Sequence, residues 1–273
     1  MNLKEALKDK LNKNQLSQLV KSFDLIGDIA IIEIPKDLIK KQRLIAAELL
    51  NLNKNIKAVF KKGIHKGIFR TQKLTWLSGQ REKITECREN GIRLRLDVEK
   101  TYFSPRLATE RKRIAEEVKK NESILVMFSG VGPYPIVISK NSNPRDIYSI
   151  EINPVAIGFQ KENILINKIK NIKLFEGDVR KIGPKLNKKF DRILMPLPKG
   201  DENFLDISLG LIKKKGVVHF YDFVEEKDFP DKSIEKIKKE CGKLNKKFKI
   251  LKTAKCGQLA PRAYRVCIDF RVF

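Results

Sequence analysis

One stretch constrains the fold more than any other: Ile124-Leu-Val-Met-Phe-Ser-Gly130-Val-Gly132-Pro133. An apolar run ends in Phe128-x-Gly130-x-Gly132. This reads as a buried strand entering a glycine turn, and glycine lets a ligand come close to the backbone. Further on, Ile147-Tyr-Ser-Ile-Glu151-Ile-Asn-Pro154 is a second strand ending in an acid, where a carboxylate suits a ribose diol. Phe175-Glu-Gly-Asp178-Val-Arg180 is a third signal, and a fourth strand, Asp191-Arg-Ile-Leu-Met195, runs into Pro196-Leu-Pro198. From Ser123 onward strands and helices alternate, which predicts a parallel sheet with helices on both faces. Ligands of such sheets sit outside the carboxyl edge of the strands. Pro196 and Pro198 stiffen the loop there and remove two amide donors, leaving carbonyl oxygens for a flat base. Taken singly, each acid reads as readily as a helix cap, and the proline pair as a rigid turn.

The chain carries 58 Lys and Arg against 33 Asp and Glu, a net charge of +25. That balance is too lopsided for an enzyme of a small neutral metabolite, and it favours a polyanion, usually nucleic acid. The bland alternative is a lysine-rich proteome. Cys87, Cys241, Cys256 and Cys267 are scattered without a Cys-x-x-Cys pair, and only His65 and His219 accompany them. Neither structural zinc nor a catalytic metal is expected. Reduced thiols in a cytoplasmic protein are the default. The opening residues have no apolar core of the signal-peptide kind, and no run approaches the roughly 18 apolar residues of a membrane span.

Residues 1–21 read as a short polar helical extension. Residues 22–103 read as a small α+β domain. It begins with a hairpin about Gly27-Asp28, continues with a helix from Pro35 to about Leu50, and returns to short strands through Ile92–Val98. Residues 104–273 read as the α/β domain, opened by a helix with Ser104 at its cap and Pro105 next. Gly216–Phe220 and Tyr264–Phe270 are late strands, with a Lys-rich helix from about Asp231 to Asn245 between them. Arg106 and Glu110 stand four apart on that opening helix. They read either as a surface ion pair or as a catalytic carboxylate held by an arginine. Tyr102 is placed to stack on a nucleobase. Arg70 by itself looks like any surface arginine.

Taken together, Tyr102-Phe-Ser-Pro-Arg-Leu-x-Thr-Glu-Arg111, Met127-Phe-x-Gly-Val-Gly-Pro133, Ile150-Glu-Ile-Asn-Pro154, Met195-x-Leu-Pro198, Ala260-Pro-Arg262 and Gly67-x-x-Arg70 resemble the archaeal-type tRNA (guanine-37-N1)-methyltransferases. The likeness spans roughly residues 22 to 273. It implies a Rossmann-like class I S-adenosylmethionine (SAM) methyltransferase domain preceded by the small α+β domain. The two would grip the tRNA anticodon arm, in a protein expected to be monomeric. By resemblance, Glu110 is the general base on guanine nitrogen 1, and Arg70 steadies the negative oxygen 6. Tyr102, Arg106 and Pro198 would line the guanine pocket. Arg106, Phe128, Gly130, Gly132, Glu151, Ile152, Asp178, Val179 and Pro196 would hold SAM. Glu151 would take the ribose hydroxyls and Asp178 the adenine amine, with the Val179 amide nearby.

Three departures from the family pattern stand out. Val126 replaces the usual acid of the glycine-turn strand. The segment before Ser22 is too short for the additional N-terminal domain of many relatives, so recognition is expected to rest on the anticodon arm. Pro196-Leu-Pro198 replaces Asn-Leu-Pro, as in an archaeal subgroup that also methylates carbon 7 of the wyosine precursor, 4-demethylwyosine. Two rivals share the scaffold. One is the wybutosine-pathway aminocarboxypropyl transferase, which generally lacks Leu-Pro after strand four. The other is a non-catalytic RNA-binding protein with a SAM-type fold, against which intact Gly130, Gly132, Glu151 and Asp178 speak.

Overall fold

The computed structural model describes residues 2–20, 22–196 and 204–273. The chain divides into two compact units, Met1–Arg88 with Arg93–Pro105, and Glu89–Ile92 with Arg106–Phe273.

In the first unit, α1 (Leu3–Ala6) and α2 (Lys13–Gln18) open the chain, each closed by an asparagine capping box at Asn2 and Asn12. They are not one polar helix, because Leu7, Leu11 and Leu19 are buried in the same apolar cluster as Ile32, Leu38, Leu49 and Val59. The expected hairpin is β1 (Asp24–Ile26) and β2 (Ile29–Ile32), antiparallel about Gly27-Asp28. Gly27 has φ +56°, and a side chain there would meet the Thr85 hydroxyl. A 3-10 turn, Lys36–Lys41, precedes α3 (Gln42–Leu52), so the helix starts later than Pro35. The sheet is completed by β3 (Ala58–Lys61), parallel to β2, and after the short hairpin β4 (His65–Lys66) and β5 (Thr71–Gln72) by β6 (Thr75–Gly79). Strands β7 (Ile84–Glu89) and β8 (Ile92–Asp97) pair with each other. Burial along β8 alternates through its first residues, as its sequence does.

After a 3-10 turn at Pro105–Leu107, the main run of the second unit opens with α4 (Ala108–Glu117). Ser104 therefore does not cap an α-helix directly. Next come β9 (Ser123–Met127), α5 (Pro133–Asn141), β10 (Asp146–Glu151), α6 (Pro154–Ile166), β11 (Ile172–Glu176), α7 (Val179–Lys185), β12 (Phe190–Met195) and α8 (Leu205–Leu211). The chain closes with β13 (Ile212–Glu225), α9 (Asp231–Lys243), β14 (Phe248–Ala260) and β15 (Ala263–Val272). The sheet order is β11-β10-β9-β12-β13-β15-β14, parallel except for the antiparallel pairings of β15 with β13 and β14. Every residue of β9 is buried, as a strand covered on both faces requires. The order reverses between β9 and β12, so the crevice of this α/β sheet opens at the carboxyl ends of those strands. The glycine turn follows β9 at that point.

Candidate active site

The turn after β9 is built from left-handed residues: Phe128 at φ 57°, Gly130 at 58° and Gly132 at 91°. A side chain at Gly132 would lie 2.8 Å from Gln160 Cγ. Gln160 is fixed in turn, accepting from the Ser129 hydroxyl at 2.8 Å and donating to that of Ser149 at 2.6 Å. Pro133 then starts α5 at the position where a missing N–H costs nothing.

Glu151, at the end of β10, is buried against this turn. Its Oε2 accepts the Gly130 N–H at 2.7 Å, while Oε1 accepts those of Ile152 at 3.0 Å and Asn153 at 2.8 Å. Burial pushes its carboxyl pKa up, against the pull of the three backbone donors. Beside β10, the Gly177 N–H donates to the Glu151 carbonyl at 2.8 Å, which brings the start of α7 to the same edge. There Asp178 caps α7 by accepting the Arg180 N–H at 2.9 Å, and the Arg180 guanidinium closes on it at 3.0 Å. That arginine holds the Asp178 carboxyl below its usual range. Val179 is buried, and Pro196 is half-buried at the end of β12. Arg180 also lies over the Phe204 ring, 5.2 Å from its centre, and Phe204 meets Phe128 edge-on at 4.9 Å. Phe128, Gly130, Gly132, Glu151, Ile152, Asp178, Val179 and Pro196 thus share the carboxyl edge of β9–β12. Arg180 and Phe204 join them there, and sequence reasoning missed both. Leu197 and Pro198 lie outside the described residues.

Glu110 stands in the first turn of α4 but is not a surface residue: its side chain is 5% exposed. The arginine that grips it is Arg113, three residues on, and not Arg106. Arg106 sits in the 3-10 turn before α4 and is exposed, so the i, i+4 helical register does not exist between the two. Arg113 Nε donates to Glu110 Oε2 and Nη2 to Oε1, both at 2.7 Å. The Tyr221 hydroxyl donates to Oε1 at 2.7 Å. Burial pushes the Tyr221 phenol well above its usual pKa, which keeps it a donor.

Behind Arg113 the network continues. Its Nη1 donates to Asp269 Oδ2 at 2.5 Å and to Glu117 at 2.8 Å. His219 Nδ1 lies 2.6 Å from Asp269 Oδ1, and its Nε2 lies 2.6 Å from Arg192 Nη1. An arginine can only donate, so Nε2 accepts and the proton sits on Nδ1, aimed at Asp269. Burial raises the Asp269 carboxyl, but His219 and Arg113 outweigh it and hold it well below the ordinary range. Arg192 bonds Glu122 at 2.7 Å. Among the described residues, His219, Cys267 and Asp269 are the one group of His, Cys, Asp and Glu close enough to share an ion. Their surroundings do not fit one, since two guanidinium groups already stand against His219 and Asp269.

Arg70 and Tyr102 belong to the first unit. Arg70 has φ 53° and closes the Gly67–Arg70 turn, its N–H donating to the Gly67 carbonyl at 3.2 Å. Ile64 and Ile68, on either side of Gly67, are exposed. Tyr102 is half-buried in the segment after β8.

A family model described as the TRM5/TYW2 methyltransferase domain matches residues 85–251, and the TYW2 N-terminal domain matches residues 3–82. The chain belongs to the TRM5/TYW2 family. It is 42% identical to the tRNA (guanine(37)-N(1))-methyltransferase Trm5b of Pyrococcus abyssi, over 92% of this chain and 74% of that one. It is 34% identical to the tRNA (guanine(37)-N(1))/4-demethylwyosine(37)-methyltransferase Taw22 of Nanoarchaeum equitans, over 91% and 98%. It is 30% identical to the tRNA(Phe) (4-demethylwyosine(37)-C(7)) aminocarboxypropyltransferase of Pyrococcus horikoshii, over 99% and 96%. Among solved structures, the complex of aTrm5 with tRNALeu matches with a TM-score of 0.86 at 34% identity, covering 99% of this chain and 78% of that one. Methanocaldococcus jannaschii Trm5 with adenosine matches at 0.82, also 34% identical, over 97% and 78%. The shared fold of this TRM5/TYW2 chain is thus the SAM methyltransferase sheet with an N-terminal domain.

Proposed function

We propose that this chain is a SAM-dependent tRNA methyltransferase acting on nitrogen 1 of guanine 37, and that it works as a cytoplasmic monomer on the anticodon arm. The observation that carries the reading is the similarity to Trm5b across 92% of the chain. The carboxyl edge of the sheet supports it independently. Glu151 is a buried acid pinned to a glycine turn that admits no side chain at Gly132, a cradle suited to a ribose and a thioether chain. Among the described residues no helix is long and apolar enough to cross a membrane, and the four cysteines are free.

Bound SAM supplies a sulfonium methyl, which passes to the nucleophilic nitrogen. The remaining work falls to the chain. Glu151 would hold the ribose hydroxyls. Asp178 with the Val179 N–H would hold the adenine, and Phe128, Ile152, Pro196 and Arg106 would line the site. Guanine nitrogen 1 keeps its proton at neutral pH, so it needs a base. Glu110 takes that proton, a contribution of about 10²–10⁴ in rate. By the family motif, Arg70 steadies oxygen 6 and Tyr102 stacks on the base.

A second reading, carbon-7 methylation of the wyosine precursor, is favoured by the Taw22 relative and by proline at position 196. Mass spectrometry of digested tRNA, with and without that precursor, tests both after incubation with protein and SAM. A methyl on guanine 37 is the expected product. An aminocarboxypropyl group in its place would overturn the proposal, as would methylation that survives replacement of guanine 37 by adenine.

A further inference from the structure

We infer that Arg113 is the positioning residue of the Glu110 base, with Asp269 and His219 as its support, and that Glu110 Oε2 is the oxygen that receives the substrate's proton. The inference rests on the proposed role of Glu110. It goes beyond that role by naming what fixes the base and which of its atoms reacts.

The geometry starts from two sequence periods. On α4, Glu110 and Arg113 are i, i+3 neighbours, and Glu117 continues the same face. On β13, His219 and Tyr221 point to one face of the sheet, and their direct antiparallel partners on β15 are Asp269 and Cys267. Two cross-strand pairs therefore meet one helical stripe. The five N–H groups of Arg113 are all committed: one Nε to Glu110, two Nη1 to Asp269 and Glu117, two Nη2 to Glu110 and, at 3.5 Å, Asp269. A guanidinium tied to three carboxylates does not swing. Asp269 is 1% exposed and is held from its far side by His219, which Arg192 holds in turn.

The two Glu110 oxygens differ. Oε1 accepts from Tyr221 and from Arg113 Nη2, which uses both of its lone-pair directions. Oε2 accepts one bond, from Arg113 Nε. The proton of guanine N1 moves to the second lone pair of Oε2. The N–H electron pair stays on the base to form the new bond to the methyl carbon as the carbon–sulfur bond breaks, its electron pair leaving with sulfur as a neutral thioether. Glu110 becomes a neutral acid while Arg113 keeps its charge. The titratable and charged groups around Glu110 are Arg113 and Arg111 from its own helix, Tyr134 from α5, Tyr221 from β13, and Arg265, Cys267 and Asp269 from β15.

This arrangement makes two substitutions act in opposite directions. Arg113→Met removes the cation that faces both Glu110 oxygens, so the acid limb of the rate profile moves to higher pH. Asp269→Asn removes a competing anion and leaves Arg113 to Glu110, so the limb moves to lower pH. The experiment is single-turnover methylation of a guanine-37 tRNA transcript by the full chain across pH. It is run for wild type, both variants and Arg113→Lys, with SAM affinity by calorimetry and folding by circular dichroism. A rise for Arg113→Met, a fall for Asp269→Asn and an intermediate shift for Arg113→Lys are expected, with SAM affinity unchanged. Folded variants that keep the wild-type acid limb would overturn the inference while leaving the methyltransferase reading in place. Should Arg113→Met not fold, the opposite signs of Asp269→Asn and Arg113→Lys decide the question. Full activity of Glu110→Gln would overturn the base assignment itself, and absence of methyl transfer by wild type the proposed function.

Discussion

Gly132→Ala tests the glycine turn most directly. Gly132 has φ 91°, where an alanine costs about 1–2 kcal/mol in backbone strain. The added Cβ would also sit 2.8 Å from Gln160 Cγ, 3.0 Å from Ile136 Cδ1 and 3.2 Å from Gln160 Cδ. Gln160 has little room to retreat, because both ends of its amide are bonded to Ser129 and Ser149. Overpacking of this kind costs about 1–3 kcal/mol. The two effects together place the loss at roughly 2–5 kcal/mol. For a unit of this size that is roughly 4–20 °C in Tm. Gly158, exposed on α6 with nothing within 4 Å of an added Cβ, is the control, and Gly158→Ala should gain about 0.5–1 kcal/mol. Thermal melts should be followed by far-ultraviolet circular dichroism, since the only tryptophan, Trp76, belongs to the other unit. SAM titration by calorimetry accompanies them. Gly132→Ala with wild-type Tm and wild-type SAM affinity would refute the argument that the turn is both strained against substitution and part of the donor site.

Three further outcomes are expected. Glu151→Gln should weaken SAM binding at least tenfold in a calorimetric titration, since an amide has a single acceptor oxygen where the carboxylate has two, and one lost hydrogen bond to a charged group is about 1.5–3 kcal/mol. The depressed Asp269 carboxyl contributes stability that is present above the ordinary carboxylate pKa of about 3.9 and is lost as pH falls through its lower folded value. Wild-type Tm should therefore fall more steeply below about pH 4 than that of Asp269→Asn, and parallel curves would contradict the reading. Affinity for tRNA should drop at least tenfold between about 50 and 200 mM salt, in line with counterion release by a basic chain, and a flat response would remove the charge argument.

How much of this was legible depended on whether the signal was local. The run from Ile124 to Gly132 carries its own period, its own breaker and its own ligand logic, and β9 with its turn lies where that pattern puts it. Glu151 and Asp178 were readable for the same reason, each at a strand end before a helix. Strand β14 was missed. Lysines at 249, 252 and 255 and three register irregularities against β15 break its alternation, and β14 is an edge strand where such charges are common. The leucines at 7, 11 and 19 were read as part of a polar segment because they flank two helices too short to show a stripe. Arg113 showed locally only its spacing from Glu110 and Glu117, which any surface ion pair on a helix shares. Its partner Asp269, and the Tyr221 hydroxyl that bonds Glu110, arrive through the pairing of β13 with β15, and no spacing along the chain reveals that register.

Buried ion networks are a poor way to stabilise a fold, because desolvation offsets most of the attraction and apolar replacements are often as stable. The Arg113 cluster therefore calls for a reason other than stability, and its position supplies one. A second buried polar bracket lies beneath the glycine turn. There Gln160 and Asn163, i, i+3 neighbours on α6 and both fully buried, hold Ser129 and the Val131 carbonyl, the latter at 3.0 Å. In each case a helix uses one turn of spacing to fix polar atoms within the second unit, one around the acid proposed as the base and one beneath the turn proposed to hold the donor. Leucines at these positions would pack as densely, but dispersion has no direction, and neither Glu110 Oε2 nor the Val131 carbonyl would then be held to one orientation.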